Sequence, residues 1–167
     1  MELASELSFH IVDLPPEGVE VHGEVPFAAL DIQPDAICSF PRPLGYDLTL
    51  APLQDGVLVR GRLYGSLVRV CDRCLDPGEV EIEVPDVCHH LEQVVGTVID
   101  LTELLREDIL LVLPQSWVCD AECRGLCPGC GQNLNDAECA CAAAARAASD
   151  DRESWGALDR LHVQDEG

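Results

Sequence analysis

Ten cysteines in 167 residues are the part of this sequence best suited to chemistry. Cys71-Asp72-Arg73-Cys74 and Cys127-Pro128-Gly129-Cys130-Gly131 are both Cys-x2-Cys knuckles. Two intervening residues let the backbone turn tightly enough to bring both sulfurs to ~2.3 Å from one zinc ion. Pro128 stiffens the second turn, while Gly129 and Gly131 admit backbone angles that other residues resist. A lone Cys-x2-Cys also suits a thioredoxin-like redox pair. Two of them, accompanied by Cys119, Cys123, Cys139 and Cys141, favour metal. Four thiolates close a structural zinc site, so these eight cysteines suffice for two sites.

Only eight residues separate Cys130 from Cys139, and a short loop costs least to close. That argues for one site from Cys127, Cys130, Cys139 and Cys141. Cys71, Cys74, Cys119 and Cys123 would form the other and staple the C-terminal segment to the sheet. A second division joins the two knuckles as a zinc ribbon with a long insertion, and a third fills one site only. Spacing leaves all three open. Cys38, between Ile37 and Ser39, reads as a small core residue. Cys88-His89-His90 has the look of a ligand triplet, but it has no partner nearby in sequence, so its histidines read as surface residues.

Catalytic signatures are absent: there is no Gly-x-Ser-x-Gly elbow, Walker loop or His-Glu-x-x-His. His10, His22, His89, His90 and His162 form no catalytic pattern. The chain reads as a non-enzymatic factor, with a thiol redox protein or a nuclease as the enzymatic rival. Arg60, Arg62, Arg69 and Arg73 lie within fourteen residues. They are read as partners of the surrounding acids or, alternatively, as a local basic patch for RNA phosphate, which planar guanidinium groups suit.

Acidic residues number 31 against 10 basic ones, all of them Arg, for a formal charge of -21. A uniformly basic nucleic-acid clamp is excluded, and a basic partner protein or a cation is favoured. Any RNA contact should be weak. No stretch reaches the ~20 apolar residues that span a bilayer, so no membrane role is expected. Met1 to Glu6 carries negative charge and no apolar core, which reads as no secretory leader and a cytoplasmic protein with reduced thiols. Apolar residues make up 47 % but aromatics only 4 %, so the core must be aliphatic.

The elements that hold these residues follow from periodicity. Phe9 to Leu14, Val19 to Val25, Tyr46 to Leu50, Val57 to Val70 and Glu79 to Val84 read as strands. Gln54-Asp55-Gly56 is the turn before the long fourth run, and Gly61 and Gly65 mark bends within it. A helix over 100–113 starts at Asp100, with Glu103 as a capping-box partner, and stops before Pro114. Ala142 to Ala148 favours helix. These signals predict an α+β fold: an antiparallel, barrel-like sheet, one amphipathic helix and a zinc-binding Cys-rich C-terminal segment. The expected divisions are a β-rich domain over 1–114, a Cys-rich segment over 115–148 and an acidic, partly ordered tail over 149–167.

Three stretches together resemble the YceD family. They are Cys71-Asp72-Arg73-Cys74-Leu75, the run Ile99 to Pro114, and Cys119-x3-Cys123-Arg-Gly-Leu-Cys127-Pro-Gly-Cys130-Gly-Gln-Asn-Leu-Asn135 followed by Cys139-x-Cys141. A late Asp150-Asp151-Arg152 and Trp155-Gly-Ala-Leu158 extend the likeness to nearly the whole chain. The resemblance implies a small bacterial or plastid protein that supports accumulation of large-subunit ribosomal RNA. Genes of this family often neighbour that of a zinc-ribbon ribosomal protein, which implies a partner among basic ribosomal proteins or assembly intermediates. The family offers no catalytic residues to carry over. Relatives often have a longer acidic stretch between the first knuckle and the helix than this chain has. A structural zinc-stabilised adaptor with no RNA role is the remaining alternative.

Overall fold

Aliphatic residues alternating with charged ones decide which face of each strand is buried. The computed structural model describes residues 7–12, 14–54, 56–94 and 96–141. The chain divides into two units: Met1–Val70 with Pro77–Trp117, and Cys71–Asp76 with Val118–Gly167. The first holds strands β1 (Ser8–His10), β2 (Val19–Val25), β3 (Cys38–Ser39), β4 (Leu44–Leu53), β5 (Gly56–Val70), β6 (Pro77–Glu92) and β7 (Val98–Asp100). A 3-10 turn, Phe27–Leu30, follows β2, and helix α1 (Thr102–Val112) follows β7. Every strand pairing is antiparallel. β1 and β7 form a ribbon; β2, β4, β5 and β6 form the main sheet in that order, with β3 on the far end of β5.

Leu44, Tyr46, Leu48 and Leu50 of β4 share the buried face with Val57, Val59, Leu63 and Leu67 of β5. Ile82 and Val87 of β6 extend that face, and α1 covers it with Leu105 and Ile109. Glu20, Glu24, Glu79, Glu81 and Glu83 alternate to the other side. Among the described residues the sheet stays open, so the barrel-like reading is corrected: β2 and β6 each pair along one edge only. The apolar face needs no closure because α1 packs on β6 and on the 3-10 turn.

β6 runs well past the expected Glu79 to Val84. Pro85 and Asp86 break the alternation in sequence, yet the strand continues through a register slip, with Gly61 opposite Val87 and Leu63 opposite Val84. Pro85 has no N–H to lose from the ladder there. Gly61 is required at this point: its φ is +154°, and an added Cβ would lie 2.0 Å from the Asp47 carbonyl oxygen. The helix starts two residues later than the expected 100, with the Asp100 carboxylate accepting the Thr102 N–H at 2.9 Å. The helix expected at Ala142 to Ala148 and the tail from Ser149 lie outside the described residues.

Candidate metal centres

The first knuckle, Cys71–Asp76, is the connection between β5 and β6 and belongs to the cysteine unit. Its backbone closes on itself: the Leu75 N–H donates to the Cys71 carbonyl at 3.0 Å, and the Cys71 N–H donates to the Asp76 carbonyl at 2.9 Å. Strap bonds from within the same unit hold it. The Leu126 N–H donates to the Arg73 carbonyl, and the Arg73 guanidinium donates to the carbonyls of Ala121 and Cys123 at 3.2 and 3.0 Å. These bonds carry Cys119 and Cys123 to the knuckle. The Sγ atoms of Cys71 and Cys123 are 3.9 Å apart, and those of Cys74 and Cys119 are 3.6 Å apart.

All four sulfurs lie within 4.8 Å of one another. A tetrahedron with ~2.3 Å metal–sulfur bonds has edges of ~3.8 Å, so the group has the size of a zinc tetrathiolate. N–H donors point at its sulfurs, as they do around thiolates: Arg73 and Cys119 N–H on Cys71 Sγ, both at 3.4 Å, and the Asn135 amide on Cys123 Sγ at 3.3 Å.

Cys127, Cys130, Cys139 and Cys141 form a second group of the same size. Its knuckle repeats the first bond for bond. The Gly131 N–H donates to the Cys127 carbonyl at 2.8 Å, and the Gly129 N–H lies 3.4 Å from Cys127 Sγ. Cys71, Cys74 and Cys123 are buried in the first group, whereas in the second Cys127 is buried and Cys130 exposed. None of the ten cysteines forms a disulfide.

Crowded thiols do not ionise alike. Burial raises the Cys71 thiol, but the N–H groups of Cys74, Cys119 and Arg73 outweigh it and bring it down to about 6. Cys74 is lowered by the Asp76 N–H, yet burial and the neighbouring thiols Cys71 and Cys119 push it up overall. The Asn135 amide lowers Cys123 against its burial. Cys127 falls to about 7, chiefly through its hydrogen bond with Cys139 and then the N–H groups of Gly129 and Cys130. Each group thus holds a thiolate ready near neutral pH, and the other protons must leave as a cation enters.

The four arginines do not assemble into one patch. Arg62 is held by the Asp47 carboxylate at 2.8 and 3.0 Å and lies over the Tyr64 ring. Arg60 is exposed on the same side of β5, opposite Thr49 and Cys88. Arg69 alternates to the other side, where it donates to the carbonyls of Pro114 and Gln115. Arg73 is the strap of the first knuckle. Cys88-His89-His90 lies along one strand, so neighbouring side chains point to opposite faces and the three cannot converge on one ion. His89 instead meets the Asp108 carboxylate of α1 at 2.7 Å, a pair that sequence spacing could not reveal. Cys38 packs half-buried against the core, and burial raises its thiol.

Residues 89–162 match the family model described as "Large ribosomal RNA subunit accumulation protein YceD". Over that stretch, which is less than half of the chain, the sequence is similar to the YceD family. An uncharacterized protein of Mycobacterium tuberculosis (strain ATCC 25618 / H37Rv) is 36% identical over 106 residues, 54% of this chain and 51% of that protein. One of Mycobacterium leprae (strain TN) is 30% identical over 107 residues, 55% and 49% of the two chains. The chain spans about half the length of the curated relatives it matches. No solved structure gives a significant match.

Proposed function

We propose that this chain is a member of the YceD family and a non-enzymatic, zinc-stabilised cytoplasmic factor that supports accumulation of large-subunit ribosomal RNA. It would do so through contact with a basic ribosomal protein or assembly intermediate. The observation that carries this reading is the family match over residues 89–162, a stretch that contains six of the eight clustered cysteines. Zinc is the ion that four thiolates at these separations suit best. The charge of -21 repels a polyanion and attracts a basic protein. Dispersal of the arginines supports weak rather than tight RNA contact. Replacing the chain in cells by the Cys127→Ser, Cys130→Ser double variant tests the reading. Large-subunit RNA should fall relative to small-subunit RNA, and the intact chain should co-sediment with large-subunit precursors. Unchanged RNA levels on complete loss of the chain would overturn it.

A further inference from the structure

The two knuckles share a backbone but differ at one position. In both, the residue after the second cysteine closes the turn by donating its N–H to the carbonyl of the first cysteine. In both, that residue is left-handed: φ is +75° at Gly131 and +64° at Leu75. Glycine occupies this conformation without penalty, whereas a leucine Cβ crowds the following carbonyl. The second knuckle shows that the cysteine unit can use glycine here. The first keeps a bulky side chain at the strained position and leaves it 59 % exposed. A lone exposed leucine is ordinary, but a left-handed exposed leucine on a clamped turn gives the fold nothing that glycine would not.

We propose that Leu75 is the apolar anchor of a docking surface for a basic protein. The knuckle's own charges fit that occupant. Leu75 lies between Asp72 and Asp76, and the one base of the knuckle, Arg73, has its guanidinium turned onto the Ala121 and Cys123 carbonyls. An apolar tip with acids beside it, on a chain of charge -21, suits an apolar pocket rimmed by Lys or Arg. Rigidity matters as well, because the Leu75 backbone is clamped to the Cys71 carbonyl and only side-chain rotation is left to lose on binding. This inference rests on the partner reading proposed above.

The test uses the full chain, Leu75→Gly and Leu75→Asn, the second a polar residue that tolerates the left-handed region. Probes are the total protein extracted from large ribosomal subunits and, separately, protein-free large-subunit RNA. Both variants should keep the metal content of the parent, and Leu75→Gly should bind metal as tightly or up to about fivefold tighter as strain is relieved. Both should lose at least about tenfold in affinity for the protein probe. Undiminished binding by metal-loaded variants would overturn the anchor and leave the functional reading standing. A parent chain that binds the RNA probe and not the protein probe would overturn the partner class. A parent that binds neither would overturn this inference and the functional reading together.

Discussion

The sheet unit and the cysteine unit are held together by different forces. The first buries one mainly aliphatic cluster running from Leu7 to Ile109. In the second, the buried apolar side chains among the described residues are those of Cys71, Cys74, Cys123 and Cys127. At ~25 cal/mol per Å² of buried apolar surface, the sheet can be stabilised by water exclusion. The cysteine unit has no comparable area, and its two groups of four cysteines could supply order by holding a metal ion. The difference gives the abundant cysteines a physical reason: a segment too small for a core can be ordered by an ion in its place.

Metal removal gives the largest test of that contrast. Structural zinc contributes on the order of 10 kcal/mol or more to small modules. A strong chelator should therefore expose residues 118–141 to protease and hydrogen exchange while β4 to β6 stay protected. Loss of protection in both units at once would break the comparison. The converse variant acts on the other side. Leu105→Ala removes a fully buried helix side chain and should cost the sheet unit about 2–5 kcal/mol in denaturant unfolding, with metal content unchanged.

A third change separates the two cysteine groups. Asn135 donates to Cys123 Sγ at 3.3 Å, so Asn135→Leu should weaken metal at the first group by about 10- to 100-fold and spare the second. Competitive titration with a chromophoric chelator reads the two affinities. The smallest effect is expected at His89 and Asp108, where the 2.7 Å contact ties α1 to β6. Asp108→Asn should lower sheet stability by about 1 kcal/mol, seen as a shifted denaturant midpoint, and leave both metal affinities alone.

Much of the sheet was legible because its strands alternate cleanly. Val19 to Val25 matches β2 residue for residue, and Val57 to Val70 falls one residue short of β5. The second half of β6 was hidden, since Pro85-Asp86 interrupts a period that only the facing strand restores. The strand expected over Phe9 to Leu14 overlaps β1 only at Phe9 and His10, and β7, three residues long, is too short to show a period. The barrel expectation failed for a related reason: alternation tells which face is apolar, not whether a helix or another strand covers it. Cysteine spacing pointed to metal, yet could not say which pairs meet. That depends on Arg73 and its bonds to Ala121 and Cys123, some fifty residues away in sequence. Leu75 was invisible as a special position, because a left-handed backbone leaves no mark when the residue is not glycine.

Native mass spectrometry of the full chain, purified without chelator at neutral pH, tests the central claim most directly. The account predicts a mass increase of two zinc ions per chain with all ten cysteines reduced. Both ions should be released as the solution is acidified, because protons then compete for the eight clustered thiolates. A metal-free chain with native hydrogen-exchange protection across residues 118–141 would contradict it.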